Sequence, residues 1–481
     1  MKNEPEIVKI LREEEKLGKL QCYISHKNNK LQTFDTESYT DISPRFNDRK
    51  ISYHIMSSKK NLFTTYKMML SDKIFEGENI RKFEESFKKY LGAKHAISTS
   101  SGRMALYLIL KSLDIKEGDE ILIPAYMLPL IPQVSIYCGL KPVFVDIDPC
   151  TFNINPNEIE KKITKNTKII LVVHIFGRPC DMEKIEKIAK KYDLIVIEDC
   201  AQAIGAEYKG KKVGTLSNIS YFSFGCAKDL STFGGGMIIT NDDIIYERIR
   251  ETAKNLSWPE KDVLIKRILN TSADWFFGTN FIFDYVTYPL FRLAYLFDKN
   301  FVFNKLKSEG VLKLQNLSEK KFLEEYGFLY TNLQATIGLE QLNSLDKNIM
   351  IKVTNAEILD KNLKIPALIN KDIKCTYYRY CIKTDDPEKL LVKLFKSGVV
   401  ITDGSYLVLP DLEMFKDYKC DCPNARLVSK QLIYLPVQPH LNKEDMMKLV
   451  NVLNKYLYKA EQKEDVFLLK ETIKHRLFIS D

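Results

Sequence analysis

Several features that mark particular classes of protein are missing from this sequence. No stretch reaches the roughly 18 uncharged apolar residues that a membrane-spanning helix needs. The first residues, MKNEPEIVKILREEEK, are charged and have no apolar core, so we expect no signal peptide there. The ten cysteines lack paired metal-ligand spacing and the six histidines do not cluster, so we expect no metal site. These absences predict a cytoplasmic chain with reduced thiols.

The excess of basic over acidic residues is small. The chain has 72 Lys and Arg residues against 63 Asp and Glu residues, a net charge of +9. The basic patches lack the interleaved aromatic residues and the motif spacings of nucleic-acid-binding modules. The sequence therefore predicts no nucleic-acid partner, whereas an anionic small ligand and an anionic membrane surface both suit the charge.

The length of the chain allows more than one hydrophobic core, so we expect at least two domains. We interpret residues 1–55, which are polar and poorly periodic, as an N-terminal extension, and residues 461–481 as a charged tail. Between them we expect a large α/β domain over residues 56–340 and a smaller α+β domain over residues 341–460. The large domain contains an apolar insert at about residues 255–320.

From residue 79 onward, apolar runs of strand length alternate with amphipathic helical patterns. The run TKIILVVHIFG, for example, is followed by the helical pattern DMEKIEKIAKKY and then by the apolar run DLIVIEDC. This alternation predicts a mostly parallel, doubly wound sheet. Ligands bind such sheets at the carboxyl ends of the strands, where this sequence places Tyr126, His174, Asp199 and the segment 223–228.

Asp199 ends one of these strands, in the motif EDCAQAIGA. Burying a carboxylate there costs free energy unless a cation pairs with it. The residue could simply cap the next turn, or its carboxylate could face a protonated pyridine nitrogen and keep that ring an electron sink. Gln202, three residues later, could then hydrogen-bond a hydroxyl of the ring.

Lys228 lies in the motif SFGCAKDLSTFGGG, five residues after Ser223 and before a run of three glycines. Most lysines are simply solvated. The alternative is a lysine that forms a Schiff base, with an amine made nucleophilic by a neighbouring cation and by partial burial. Ser223 could then bind a phosphate, and the glycines would permit a close approach of the backbone.

A third motif, STSSGRMAL, places small residues at the start of a helix. Ser101 and Gly102 would offer free N–H groups and the positive end of the helix dipole to a phosphate, although such residues also cap helices routinely. Arg103 could add a charge to the anion site or point to solvent.

Taken together, in this order and at these strand ends, the motifs resemble the DegT/DnrJ/EryC1/StrS family of sugar aminotransferases. The resemblance covers residues 75–250 well and residues 320–457 more loosely. It extends to the strings GDEILIPAY, GLKPVFVDIDPCTFNINP, VVHIFGRPCDM, LQATIGLEQL and CPNARLVSKQLIYLPVQPHL. The resemblance implies a fold-type-I homodimer with pyridoxal phosphate at the subunit interface.

The resemblance also implies a role for each matching residue. Lys228 matches the Schiff-base lysine, which also shuttles protons, and Asp199 matches the partner of the pyridine nitrogen. Gln202 matches the residue beside the ring hydroxyl, and Ser223 matches the phosphate-binding serine. Gly102 and Arg103 match the phosphate turn.

This chain departs from the family pattern at several places. The family usually has Thr or Ser at Arg103, which puts a hydroxyl contact to the phosphate in doubt. For the ring that stacks on the cofactor the candidates are Tyr126 and Leu128, of which we prefer Tyr126. His174 matches the family but could equally be a structural histidine within the sheet.

Two family features near the substrate are missing. The Asn-Tyr-Arg segment that reaches the neighbouring subunit's phosphate reads YGFLYTN here, and the small-domain histidine near the substrate is missing from GVVITDGSYLVL. The sugar pocket is therefore expected to differ.

The family's common reaction is the transfer of an amino group from glutamate to a keto-sugar, usually nucleotide-linked. A dehydratase of the same family carries histidine in place of the lysine, and Lys228 argues against that alternative. A regulatory or binding protein with the same fold remains the second alternative.

The insert contains the most aromatic and apolar stretch of the chain, DWFFGTNFIFDYVTYPLFRLAYLF. It could be a pair of helices packed on the body or on a partner subunit. It could also be a peripheral membrane contact, through residues 270–303, because Trp and Tyr favour the headgroup region and lysines flank the stretch on both sides. A complete span is not expected, because Asp274, Asp284 and Arg292 interrupt it.

Overall fold

The computed structural model describes residues 51–52, 59–71, 73–297, 318–363, 372–401 and 406–461. Nearly all of the predicted extension and of the predicted tail lies outside these residues, as do residues 298–317 of the insert.

The strands of the described residues share one large sheet and several small pairings. In chain order they are β1 Ile51–Ser52, β2 His95–Thr99, β3 Glu120–Pro124, β4 Tyr126–Met127, β5 Lys141–Val145, β6 Thr167–Val173, β7 Ile195–Asp199, β8 Glu207–Tyr208, β9 Lys211–Lys212, β10 Ile219–Ser223, β11 Gly236–Thr240, β12 Ile373–Lys374, β13 Tyr380–Lys383, β14 Val399–Val400, β15 Leu407–Val408 and β16 Leu432–Leu435.

The helices follow the strands along most of the chain. They are α1 Lys59–Met69, α2 Asn79–Leu91, α3 Gly102–Ser112, α4 Leu130–Tyr137, α5 Pro156–Ile159, α6 Met182–Tyr192, α7 Asp243–Ala253, α8 Lys261–Gly278, α9 Asn280–Ile282, α10 Tyr288–Phe297, α11 Glu319–Tyr326, α12 Asn332–Asn362, α13 Pro387–Lys396, α14 Pro423–Gln431 and α15 Lys443–Glu461, with a π-helical turn at Phe283–Thr287.

The large sheet has seven strands in the order β2-β11-β10-β7-β6-β3-β5. The pairs from β10 to β5 are parallel, and β11 alone runs antiparallel to both of its neighbours. The predicted mostly parallel, doubly wound sheet is therefore confirmed. Because β10, β7 and β6 are parallel neighbours, their carboxyl ends meet at one edge of the sheet.

Local signals in the sequence fix the ends of several helices. Ser101 caps α3 by accepting a hydrogen bond from the Met104 N–H, and Gly92 ends α2 in the left-handed conformation, at φ 77°. Thr331 begins α12 with a capping box that includes Gln334. These caps place the N-terminus of α3 beside the end of β10.

A second core lies in the C-terminal part of the chain, where helices pack on the antiparallel pair β13–β16. Its members include Leu394, Ile433 and Leu449. The predicted domain boundary at residue 341 falls inside the 31-residue helix α12. The two parts therefore share a helix and are not joined by a loop at this point.

The described part of the insert packs on both parts of the protein. Leu264 and Ile268 of α8 contact Phe233 and Leu333 of the large domain. Tyr295 and the π-helical turn before α10 pack on Phe395 of α13. No helix of the described residues is long and apolar enough to cross a membrane.

Candidate active site

Asp199 is the last residue of β7 and its side chain is buried. The Tyr221 hydroxyl donates to its Oδ2 over 2.6 Å, and the Ala201 N–H donates to its Oδ1 over 2.9 Å. Burial raises the pKa of Asp199, while these hydrogen bonds and the charge of Lys228 act in the opposite direction. The structure thus holds a carboxylate, oriented by donors, at the carboxyl edge of the sheet.

Behind Asp199 lies a buried pair formed by His174 and Glu198. His174 Nε2 is 3.0 Å from a Glu198 oxygen, and His174 Nδ1 accepts from the Cys180 N–H. Because Nδ1 is an acceptor, the neutral ring carries its proton on Nε2 and donates it to Glu198. The His174 N–H also bonds the Asp199 carbonyl, so this histidine fixes the strand end that carries Asp199.

His174, Glu198 and Cys200 place their ligand-type atoms within 4.8 Å of one another, a grouping that the sequence did not reveal. Burial raises the pKa of the Cys200 thiol well above its ordinary value, which disfavours the thiolate that a metal would bind. Glu198 also accepts hydrogen bonds from the N–H groups of Gly214, Leu216 and Ser217. This hydrogen bonding accounts for the group without a metal ion.

Lys228 lies on the loop between β10 and β11 and is half-buried. Burial lowers the pKa of Lys228 from 10.5 to about 8, against the opposing effect of Asp199 and Asp229. Its Nζ lies 4.8 Å from the centroid of the Tyr378 ring. A substantial fraction of this amine is neutral near pH 8, as a nucleophilic lysine requires.

A buried ion pair holds the loop that carries Lys228. Lys352 Nζ of α12 is 2.7 Å from Asp229 Oδ1, and both side chains are almost fully enclosed. The Ser231 N–H donates to Gln341 Oε1 of the same helix over 2.8 Å. Helix α12 therefore fixes the loop on the side away from the sheet.

The N-terminus of α3 meets the end of β10 at an unusually close contact. A Cβ added to Gly102 would lie 2.9 Å from the Ser223 Cβ, so only glycine fits at this position. Gly236 faces the same place, where an added Cβ would lie 2.8 Å from the Gly102 nitrogen. The predicted residues Ser101, Gly102 and Ser223 are therefore brought together at a helix N-terminus, which is a natural site for an anion.

Arg103 follows in the first turn of α3 and contacts Tyr326. Its Nη1 donates to the Tyr326 hydroxyl over 2.6 Å, and its guanidinium lies 3.9 Å from the centre of that ring. Its positive charge also lowers the pKa of Lys228, as a smaller contribution than burial. Arg103 therefore makes the site more positive and favours the neutral form of the Lys228 amine.

Two other predicted residues, Gln202 and Tyr126, have partners of their own. Gln202 Oε1 accepts from the Phe176 N–H over 3.1 Å. Tyr126 is fully buried in β4, and its hydroxyl accepts from the Tyr406 N–H over 3.2 Å. Stacking of Tyr126 on the cofactor stays a prediction.

Three aromatic residues of the site were not found by sequence reasoning: Tyr221, Tyr378 and Tyr406. Tyr221 had a usable signal, because it lies two residues before Ser223 on one strand and therefore on the same face. It also pairs in register with Asp199. Tyr378 comes from the C-terminal part, about 150 positions away from Lys228, and no local pattern in the sequence links the two.

The arrangement fits pyridoxal phosphate. The contact of Gly102 with Ser223 shapes a helix N-terminus for the phosphate. The amine of Lys228, with its lowered pKa, suits covalent attachment to the cofactor aldehyde. Asp199 is a buried carboxylate suited to a protonated ring nitrogen.

Comparisons with known proteins agree with this arrangement. Residues 57–280 and 302–454 match the model of the DegT/DnrJ/EryC1/StrS aminotransferase family. The chain is 30% identical over 386 residues to GDP-perosamine synthase of Escherichia coli O157:H7, covering 79% of this chain and 91% of that protein. It is 34% identical over 430 residues to the spore coat polysaccharide biosynthesis protein SpsC of Bacillus subtilis, covering 83% and 98%.

Solved structures show the same fold. The aminotransferase from Psychrobacter cryohalolentis superimposes with a TM-score of 0.64 at 24% identity, covering 84% of this chain and 98% of that one. The resemblance drawn from the motifs is therefore confirmed, and with it the cofactor and the reaction type. The chain belongs to the DegT/DnrJ/EryC1/StrS aminotransferase family and is a pyridoxal-phosphate-dependent aminotransferase.

Proposed function

We propose that this aminotransferase moves an amino group from glutamate to a nucleotide-linked keto-sugar, in the biosynthesis of a surface polysaccharide or glycoconjugate. The names of the two relatives, a GDP-perosamine synthase and a spore coat polysaccharide biosynthesis protein, support this sugar chemistry. The observation that carries the proposal is the half-buried Lys228, whose pKa burial lowers to about 8 and whose charge interacts with that of the buried Asp199.

Bound pyridoxal phosphate would supply an electron sink for the carbon that loses its proton. The α3 N-terminus with Ser223 would hold the phosphate, and Asp199 would keep the ring nitrogen protonated. Lys228 would serve as the attachment point and, when displaced as a neutral amine, as the base that moves the proton. The Tyr378 ring limits the space around its Nζ, and the Asp229–Lys352 pair limits the movement of its loop.

A half-reaction screen tests the proposal. The holoenzyme is mixed with single amino acids, and conversion of the cofactor to its amine form is followed by absorbance. We expect glutamate to convert it, and we expect the aminated enzyme to return to its first form with a nucleotide-linked keto-sugar. A holoenzyme that no amino acid converts would favour the regulatory alternative instead.

The attachment point is tested separately by borohydride reduction and peptide mapping. We expect the cofactor on Lys228, and Lys228→Ala should lose the absorbance band of the bound cofactor. As a matched control, Lys254→Ala changes an exposed lysine and should keep the band. Label on another lysine would contradict the assignment.

Two further parts of the proposal concern assembly and location. We propose a homodimer with shared active sites, which the family resemblance supports. We also propose a cytoplasmic enzyme that is peripheral to the inner face of the membrane. The nine cysteines within the described ranges are all free, in keeping with a reducing compartment.

A further inference from the structure

The outer face of the second insert helix is entirely apolar. In the second helical segment of the insert, residues 281–297, every exposed position carries an apolar or aromatic side chain. Phe276 and Phe277 are also exposed near the end of α8, next to the exposed polar residues Asp274 and Asn280. We call these exposed apolar and aromatic residues the insert face: Phe276, Phe277, Phe281, Tyr285, Val286, Leu290, Leu293, Leu296 and Phe297. A surface helix normally presents polar residues to water, so an apolar outer side of this extent requires something to cover it.

The two charged residues of the segment 275–297 do not contribute to the insert face. Asp284 is buried. Arg292 turns toward α13, where its Nη1 donates to the Lys396 carbonyl over 3.2 Å. The charges therefore serve the inner side of the helix and leave the outer side without ionic groups.

The inner side of the same segment is firmly packed. Phe283, Tyr288 and Tyr295 are buried against Phe395, and the Tyr288 hydroxyl donates to the Phe395 carbonyl over 2.8 Å. The exposure of the outer face is therefore not the result of a helix that has failed to dock. The inner side of the segment packs on α13 of the same chain, and the outer side is exposed.

We propose that the insert face docks on the surface of an anionic lipid bilayer. Among the exposed residues of 281–297 the Tyr285 hydroxyl is the one side-chain hydrogen-bonding group, whereas interfaces between proteins carry polar contacts at regular intervals. The interior of a bilayer requires no such contacts, and Tyr285 suits the headgroup region. The helix lies in the plane of the bilayer, because its inner side is occupied by protein.

Basic residues of the described chain lie on the two helices that pack beside the insert face, α8 and α13. Lys261 and Lys266 are exposed in the first half of α8, before the apolar part begins. Lys393 and Lys396 lie in the last turn of α13, the helix on which the second insert helix packs. Their charge complements anionic headgroups. Lys299, Lys305 and Lys307, which also flank the stretch in sequence, lie outside the described residues.

The match to the family also stops at this segment. The two matched ranges end at residue 280 and resume at residue 302, so most of the insert face lies in the gap between them. A surface added between two parts of a shared enzyme fold is suited to placing the enzyme and not to its chemistry. The docking therefore identifies the surface for the proposed membrane location and rests on that part of the proposed function, but it does not depend on which keto-sugar is used.

Vesicle flotation with the full-length holoenzyme tests the proposal. The vesicles are phosphatidylcholine alone or phosphatidylcholine with phosphatidylglycerol, each at low and high salt. We expect flotation with the anionic vesicles, weakened by salt because the lysines contribute through screened charge. Protein that stays below both kinds of vesicle at low salt would overturn the proposal.

Serine variants distinguish vesicle binding through the insert face from nonspecific vesicle binding through any exposed apolar residue. The variant Phe281→Ser/Leu290→Ser/Leu296→Ser changes three exposed side chains and should lower the vesicle-bound fraction by about tenfold or more. The matched control changes three exposed apolar residues elsewhere: Ile244→Ser/Met350→Ser/Leu427→Ser. Equal losses in both variants would overturn the proposal.

Sedimentation velocity of the same proteins distinguishes a second copy of the chain as the occupant. If the triple variant of the insert face lowers the oligomeric state while neither protein floats, the face is a protein interface and the lipid proposal is wrong. The donor half-reaction, measured without vesicles, should be equal in the triple variant and in the parent enzyme. If the parent enzyme showed no donor half-reaction, the proposed function would be wrong, while the docking proposal would be unaffected.

Discussion

At the scale of single residues, the amine of Lys228 and the carboxylate of Asp199 are two ionisable groups whose pKa values burial shifts in opposite directions. The pKa of the lysine is lowered and that of the aspartate is raised, since burial penalises each charged form. Each charge partly offsets the penalty on the other. Burial outweighs the opposing charge of Asp199 and leaves the pKa of Lys228 at about 8.

The pH dependence of cofactor attachment follows from the lysine. The neutral amine is the nucleophile, so the rate should rise with pH below the pKa of about 8 and level off above it. With an ordinary lysine the rate of attachment would keep rising until about pH 10.4. Stopped-flow absorbance of the apoprotein mixed with pyridoxal phosphate measures this, with N-acetyl-lysine as the reference amine. If the ratio of the protein rate to the N-acetyl-lysine rate did not change with pH, the lowered pKa of Lys228 would be contradicted.

Replacing Asp199 should lower activity by removing its charge, without changing the fold. Asp199→Asn keeps the shape but removes the carboxylate, so we expect kcat to fall by at least about 100-fold while circular dichroism is unchanged. Tyr221→Phe keeps the carboxylate and removes one donor to it, a hydrogen bond of about 1.5–3 kcal/mol. Its effect should therefore be smaller. Activity of the asparagine variant within a few-fold of the parent would refute the role.

At the scale of elements, the site depends on how closely α3 approaches β10. Gly102→Ala would force its Cβ to 2.9 Å from the Ser223 Cβ, so the helix N-terminus must move away from the strand. We expect the affinity for pyridoxal phosphate to fall by about tenfold or more, measured by equilibrium titration. The control Gly225→Ala lies in the same region but its nearest neighbour is 3.8 Å away, so its affinity should be unchanged.

The contact between α12 and the lysine loop should contribute to stability. Lys352→Ala leaves the enclosed Asp229 carboxylate without its cation, and we expect the free energy of unfolding to fall by about 3–5 kcal/mol. Lys82→Ala, which breaks an exposed pair with Glu78, should cost less than about 1 kcal/mol. Urea denaturation of the holoenzyme measures both. Equal losses of unfolding free energy in the two variants would contradict the larger contribution expected from the buried Lys352–Asp229 pair.

At the scale of the whole molecule, one chain carries the residues that we assign to the cofactor, and the proposed dimer would complete the site from its partner. Sedimentation velocity should therefore give about twice the 55.8 kDa of the single chain. The measurement is made at the concentration used for the activity assay. A monomer that remains active there would reject the shared site.

Much of the fold follows from local patterns in the sequence. Helix α2 ends at Gly92 because glycine adopts the left-handed conformation at little cost, and this signal involves only neighbouring residues. The strand runs and their alternation with helices are equally local. The parallel arrangement then follows from the connections between strands, which is why Asp199 and Ser223 could be assigned to one edge of the sheet.

Other features depend on residues that are far apart in the chain. The register of β7 with β10 brings Tyr221 to Asp199, and the packing of α12 brings Lys352 to Asp229. The choice of which side of the insert is buried also depends on α13, about 100 residues further along.

The sequence by itself therefore determined the order of the elements and the family, and it supplied the candidate residues that we assign to the cofactor, because each is encoded within a few neighbouring positions. Only the tertiary structure decided the lowered pKa of Lys228, the full burial of Tyr126 and the apolar outer side of the insert. These properties arise from desolvation and packing between distant segments. A residue's own neighbours in sequence do not specify them.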